Sequence, residues 1–286
     1  MAETKIEWAH FTFNPWRGCV KVSPACTHCY AEGWAKRTGK DIWGQDAARE
    51  FAAPAYWKQP LQWNKEAAKE ERFRRVFCSS LADVFEDRED LKPSRRRLFD
   101  IIEATPNLIW LLLSKRPENM NRLSPAHWER FGWPKNAWAG TTAENQEWFD
   151  KRVAHLTNVP ARIHFMSLEP LLGSIDISGH LLAPHLEGVK ACHGVNWVIV
   201  GGESGGGARP MHPVWARDLR DQCQKADVPF LFKQWGEYGV ELDGKHAFTP
   251  VHSGVAMDEP SAMYRVGKKI AGRVLDGRTW DQVPMA

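Results

Sequence analysis

The chain has 286 residues and a mass of 32.6 kDa, enough for one large α/β barrel or two ordinary domains. Hydrophobic residues are 43% and charged residues 26%, ordinary globular usage that excludes a chain disordered throughout. The 38 basic and 35 acidic side chains leave a net charge of +3, too balanced to announce nucleic-acid binding by electrostatics alone, although a local basic groove is compatible with it.

The longest purely apolar run, Leu108 to Leu113, falls far short of the ~20 residues of a membrane span. The start, Met1-Ala2-Glu3-Thr4-Lys5, has no apolar core of a secretory signal, so the expected location is the cytoplasm, with no membrane partner. The 15 Trp read first as core packing, and second as stacking surfaces for rings.

Taken in chain order, short apolar, β-branched or aromatic runs recur, each followed by polar or glycine-rich residues. The first is Phe11-Thr12-Phe13. Later runs start at residues 75, 108, 137, 162, 197 and 229, about one βαβ unit apart. Continuous apolar runs suit strands buried on both faces. The segments between them carry helical spacing: Tyr30 to Thr38, Pro93 to Ala104, Asn145 to Leu156, and Pro213 to Ala226 with proline at its start. Strand and helix alternate about seven times, which predicts an α/β fold, a parallel (β/α) barrel or partial barrel, over residues 1–238.

Two regions break the rhythm. Residues 39–74 are Trp-rich and then strongly charged, and read as an insertion holding a loop and an exposed helix. Residues 239–286 read as a short C-terminal β extension, with Tyr264-Arg265-Val266 and Arg273-Val274-Leu275 as a hairpin.

In a parallel barrel the active site lies at the C-terminal ends of the strands. Every run here ends in chemically capable groups. They are the cysteine loop, then Ser79, Ser80 and Asp83, then Ser114-Lys115-Arg116. Thr141, Thr142 and Glu144 follow, then Ser167 and Glu169, Gly201-Gly202-Glu203-Ser204, and Lys233-Gln234. The cysteines are the sharpest signal. Cys19, Cys26 and Cys29 lie in one loop directly before a helix, and three thiolates can hold a [4Fe–4S] cluster while leaving one iron open. A Cys₃His zinc site completed by His28 or His10 is a second reading, and three unliganded thiols a third. Cys78, Cys192 and Cys223 are scattered and read as buried small hydrophobes.

Three cysteines in the loop after the first strand of a β/α barrel resemble the layout of radical S-adenosylmethionine (SAM) enzymes. Cys26-Thr27-His28-Cys29 matches the second half of their motif, with His28 in the aromatic place, while six residues rather than three separate Cys19 from Cys26. The stretches Asn14 to Cys19, Ser23 to Cys26, Ser167 to Leu172, Val200 to Gly205, Phe232 to Gly236 and Gly272 to Arg278 resemble a phage family of unknown function, gene product 37/68. The radical SAM resemblance implies a [4Fe–4S] cluster on Cys19, Cys26 and Cys29, fed by an external electron donor. It implies SAM cleaved to a 5′-deoxyadenosyl radical that takes hydrogen from a substrate. Where those enzymes bind the methionine amino group with a Gly-Gly-Glu stretch, this chain departs and holds Ser79, Ser80 and Asp83; the resemblance puts Thr141, Thr142 and Glu144 where ribose hydroxyls are met, and Gly201, Gly202 and Glu203 near the adenine or the substrate. Glu169, at a strand end before Pro170, is the preferred partner of the SAM ammonium. The Cys-Tyr-Ala ending resembles spore photoproduct lyases, which makes nucleic acid the leading substrate class. The rival readings are a zinc-bearing nucleic-acid-binding module without catalysis, using Arg72, Arg74, Arg75, Arg95, Arg96 and Arg97, and a partner-binding protein that has kept the barrel alone.

Overall fold

The computed structural model describes residues 3–183, 194–239, 248–252 and 261–285. Its elements in chain order are β1 (Phe11–Thr12), β2 (Trp16–Arg17), α1 (Tyr30–Arg37), β3 (Glu50–Phe51), α2 (Gln59–Lys69), β4 (Arg74–Cys78) and α3 (Lys92–Glu103). Next come β5 (Leu108–Ser114), α4 (Met120–Leu123), α5 (Ala126–Phe131), β6 (Ala137–Thr142), α6 (Gln146–Thr157), β7 (His164–Leu168), β8 (Trp197–Gly201), α7 (Pro213–Lys225) and β9 (Phe230–Gln234). The last are β10 (Tyr238–Gly239), β11 (Phe248–Val251), β12 (Ser261–Arg265) and α8 (Lys268–Ala271).

Seven strands form one sheet in the order β1-β4-β5-β6-β7-β8-β9, and every neighbouring pair is parallel. The sheet is an open half-barrel, with β1 and β9 at its edges. Each of its strands places a residue on either face, because side chains alternate with period two. Val76, Trp110, Ala139, Met166, Val198 and Phe232 face the helix-covered core. Phe77, Ile109, Leu111, Trp138, Phe165, Trp197 and Leu231 face the concave side. There the chain's own start fills the hollow, with the Trp8 ring 4.5 Å from Phe77 and 6.3 Å from both Phe165 and Trp197. Twelve of the 15 Trp are buried, so tryptophan here is core material.

Helix ends follow their sequence signals. Asn145 caps α6 through Trp148 N at 3.1 Å, and His212 caps α7 through Val214 N at 3.1 Å, just before Pro213. The described part of the crossover between β7 and β8 holds only a single 3₁₀ turn, Ser178–His180, so the strand–helix alternation lapses there.

Two expectations are corrected. Helix α2, in the Trp-rich stretch, is not simply exposed. Its Pro60, Trp63 and Ala67 are buried, and Trp63 stacks on Phe11 at 4.4 Å, while the charged residues occupy the outer face. Near the C-terminus, Tyr264 and Arg265 sit in β12, which pairs antiparallel with β10 and β11 rather than with residues 273–275. Leu275 instead bridges Arg278 across a turn, and Asp281 bridges Leu231, covering the free edge of β9. Cys78 and Cys223 are buried in the core as expected, and Cys192 lies outside the described residues.

Candidate functional site

The cysteine loop begins at a glycine that no other residue replaces cheaply. Gly18 has φ +108°, and a Cβ there would stand 2.2 Å from the Ile42 carbonyl oxygen. Its N–H donates to Leu81 O at 2.9 Å, which ties the loop to the segment after β4. Cys26 closes a 3₁₀ turn, Pro24–Cys26, and Cys29 directly precedes α1. All three thiols are free and partly buried. Burial and the nearby Asp83 carboxylate push the Cys19 thiol up to about 12.

The three cysteines open on a cavity of about 580 Å³. Each sheet strand contributes to its wall at or just beyond its C-terminal end: Thr12, Ser79, Ser114, Thr142, Ser167, Gly202 and Gln234. That size falls within the range of small-molecule and cofactor sites. Buried polar atoms almost always find a partner. Here Ser79 Oγ, Thr142 Oγ1, Glu169 Oε1 and Gln234 Oε1, from four strand ends around the same cavity, are buried without one.

Most of the acids chosen from sequence are already engaged. Asp83 Oδ1 accepts from Phe85 N (3.0 Å) and Ser114 Oγ (2.6 Å), and Oδ2 accepts from Lys115 N (3.1 Å) and Arg116 Nη1 (2.9 Å). Glu144 is fully buried and accepts from Ala25 N (3.0 Å) and Arg152 Nη1 (3.3 Å). Glu203 holds Arg209 through Nε (2.8 Å), Nη2 (2.6 Å) and the backbone N–H (2.8 Å), with His28 Nδ1 at 3.4 Å. Burial works to raise the Glu203 carboxyl, but the Arg209 donors outweigh it and its pKa lies below the ordinary value. Glu169 differs. Its Oε2 accepts from Lys233 Nζ at 2.7 Å, and its Oε1 is left over.

Ser79, Asp83, Glu169, Gly202 and Glu203 line the cavity with the cysteines, whereas Thr141, Glu144 and Gly201 do not. The Thr141 hydroxyl donates to Ser114 O at 2.7 Å, inside the sheet. The two glycines make room for the protein itself. A Cβ at Gly201 would meet Glu169 Oε1 at 2.9 Å, and one at Gly202 would meet Trp235 O at 1.9 Å.

Three thiols and the ends of seven parallel strands thus gather at one cavity. The chain belongs to the family described as Protein of unknown function (DUF5131). The family model matches residues 3–284, so membership covers the loop, the sheet and the C-terminal segment together. No curated protein matches. Solved structures of spore photoproduct lyase are similar in fold. A cysteine mutant is 13% identical with a TM-score of 0.47, covering 92% of this chain and 70% of that one. A mutant with bound AdoMet and dinucleoside spore photoproduct is 12% identical with a TM-score of 0.44, covering 90% and 69%.

Two residues of the site escaped the sequence. Arg209 lies in a loop with no periodic signal. Arg152 did carry one: it sits one turn after Trp148, against the buried stripe of α6, where a charge is out of place unless paired. Among the described residues no three His, Cys, Asp or Glu side chains are set around a single metal ion. A cluster, by contrast, meets each thiolate on a different iron.

Proposed function

We propose that this chain is a radical SAM-type iron–sulfur enzyme, with Cys19, Cys26 and Cys29 as ligands of a [4Fe–4S] cluster and SAM held in the adjoining cavity. One observation carries the reading: the free thiols share a single cavity with four buried, unpartnered polar atoms on four different strand ends. A cluster held there supplies the electron that cleaves SAM. The chain's own groups do the rest. Glu169 Oε1, beside the Lys233 ion pair, accepts from the SAM ammonium. The Thr142 and Ser79 hydroxyls and the Gln234 amide oxygen suit ribose and adenine edges. The filled concave face below the cavity, built from Trp8, Phe77, Phe165 and Trp197, excludes water from the floor.

Nucleic acid is the substrate class we assign, in a phage setting and a reducing cytoplasm with an external electron donor. Lys5, Lys115 and Lys268 line the cavity without an ion-pair partner among the described residues, which suits phosphates. Among those residues no helix is long and apolar enough to cross a membrane. We take residues 1–238 as the catalytic unit, with the insertion at about 39–74, and residues 239–286 as its extension.

The zinc-module reading has weaker support. Arg95 is buried and donates to Val84 O and Glu86 O, Arg74 is paired with Glu70 and Glu3, and Arg75 Nε donates to Trp8 O. Those three arginines are therefore engaged within the protein, which leaves only Arg72, Arg96 and Arg97 of the six exposed. His10 Nδ1 is taken by the Arg75 N–H at 2.8 Å.

Anaerobic reconstitution with iron and sulfide tests the proposal. It predicts a brown protein with about four irons, retained sulfide and SAM binding. A colourless protein carrying stoichiometric zinc and binding no SAM overturns it.

A further inference from the structure

The SAM-binding groups leave three arginine–carboxylate pairs unused: Asp83–Arg116, Glu144–Arg152 and Glu203–Arg209. Each pair reaches out of its own strand end and grips the main chain of the cysteine loop. Arg116 Nη2 donates to Val20 O at 2.9 Å, and its Nη1 lies 3.7 Å from Cys19 Sγ. Glu144 Oε1 accepts from Ala25 N at 3.0 Å, with Arg152 Nη1 behind it donating also to Thr142 O at 2.8 Å. Arg209 Nη2 donates to Pro24 O at 3.0 Å, and Glu203 Oε2 faces His28 at 3.4 Å.

The three attachments come from chain positions 96, 119 and 185 residues away from the loop. They arise after β4 and β5, after β6, and after β8 respectively. A loop held from one side can still pivot, whereas one held from three separated strand ends is fixed in place. The carboxylates also have little left to offer a ligand. Asp83 accepts four donors, and Glu203 accepts three from Arg209 alone.

We infer that Asp83–Arg116, Glu144–Arg152 and Glu203–Arg209 are positioning residues that set the shape of the thiolate loop, an inference resting on Cys19, Cys26 and Cys29 being the cluster ligands. Groups just outside a metal's own ligands typically change its affinity by roughly 10- to 100-fold when removed. A loop already in its binding shape loses less freedom when the cluster is assembled on it.

The test compares wild type with Glu144→Gln and Glu203→Gln, which keep the side-chain shape and remove the charge. Leu219→Ala, in the core on α7, serves as a control that lowers thermal stability without touching the loop. Three quantities are read: iron and sulfide retained under a chelator, the spectrum and midpoint potential of the reduced cluster, and backbone hydrogen exchange of residues 20–28 in metal-free protein. The inference predicts about tenfold faster cluster loss in both Gln variants, with an altered spectrum or potential, and wild-type behaviour in Leu219→Ala. It also predicts about tenfold faster exchange across the loop, the change one lost tether supports.

If the Gln variants hold their cluster and spectrum as wild type does, the positioning role is overturned while the cluster reading survives. If wild type itself takes up no cluster, the cluster reading fails, and unchanged loop exchange in the variants then removes the clamp as well. If cluster loss merely tracks melting temperature across all three variants, the pairs are structural and the inference is wrong. Should Glu144→Gln fail to fold, Arg209→Lys probes the opposite side of the loop with charge retained and the fork to Pro24 and Glu203 lost, and wild-type cluster retention and loop exchange in it count against the clamp.

Discussion

Replacing Glu169 with Gln isolates the strand-end carboxylate at the cavity that still has an oxygen to give. Its Oε2 is paired with Lys233 at 2.7 Å, and its Oε1 is buried without a partner. Gln keeps the shape against Gly201, where a Cβ would already crowd Oε1 at 2.9 Å. It removes the charge that meets an ammonium and leaves Lys233 as an unbalanced cation at the cavity wall, and both changes act in the same direction. A hydrogen bond to a charged group contributes about 1.5–3 kcal/mol, so SAM binding should weaken by roughly 10- to 100-fold. The lost ion pair is mostly buried on both sides and contributes about 1 kcal/mol to the fold, a melting shift of about 2 °C. Calorimetric titration of SAM into anaerobically reconstituted protein measures the first quantity, a thermal melt the second, and iron analysis confirms equal loading. Unchanged SAM affinity at equal iron content would remove Glu169 from the site and refute the reading of its free oxygen.

Three other expectations follow from the same geometry. Cys19→Ala, Cys26→Ala and Cys29→Ala should each lose most of the iron on reconstitution, whereas Cys78→Ala and Cys223→Ala, both in the packed core, should keep it and melt at lower temperature. If Cys78 or Cys223 proves necessary for iron, the ligand assignment is wrong. His10 sits in a cationic, partly buried place. Burial first, then Arg75 and Arg74, lower its pKa to about 4, and its Nδ1 accepts the Arg75 N–H. Between that value and the ordinary 6.5 the unfolded chain binds the extra proton, so stability is lost as pH falls through this window, by at most about 2 kcal/mol from pH 7 to pH 5 and by less once solvent screening at this half-buried ring is counted. Urea unfolding at the two pH values, with His10→Gln for comparison, reads that loss, and an equal pH dependence in the variant contradicts it. Binding of single- or double-stranded nucleic acid should weaken as salt rises, given a net charge of only +3 and few free lysines at the cavity. Gel shifts at two salt concentrations check this, and no binding even at low salt removes the substrate class alone.

The strands of the main sheet were legible because most of their residues form apolar runs buried on both faces. Observed starts at Arg74, Leu108, Ala137, His164, Trp197 and Phe230 lie within two residues of those read from the sequence. Helix α7 was equally plain from Pro213 and the spacing of Trp215, Leu219 and Cys223. The cysteine loop was legible because its three thiols are close in sequence. What stayed hidden depends on partners far apart in the chain. Asp83, Glu144 and Glu203 look like free strand-end acids until the fold brings Arg116, Arg152 and Arg209 against them. Which of two adjacent threonines faces the cavity is likewise a matter of strand register. Thr141 turns to Ser114 O, and Thr142 lines the site. The Gly201-Gly202 pair also packs closely against Glu169 and Trp235, a demand that leaves no mark in the sequence, while Gly202 lines the cavity.

We propose that the cavity beside Cys19, Cys26 and Cys29 binds SAM for reductive cleavage. Chromatography of reconstituted, dithionite-reduced protein incubated with SAM tests it most directly. The expected result is slow release of 5′-deoxyadenosine without added substrate, lost in Cys26→Ala and reduced in Glu169→Gln. A fully loaded cluster that yields neither SAM binding nor 5′-deoxyadenosine contradicts it.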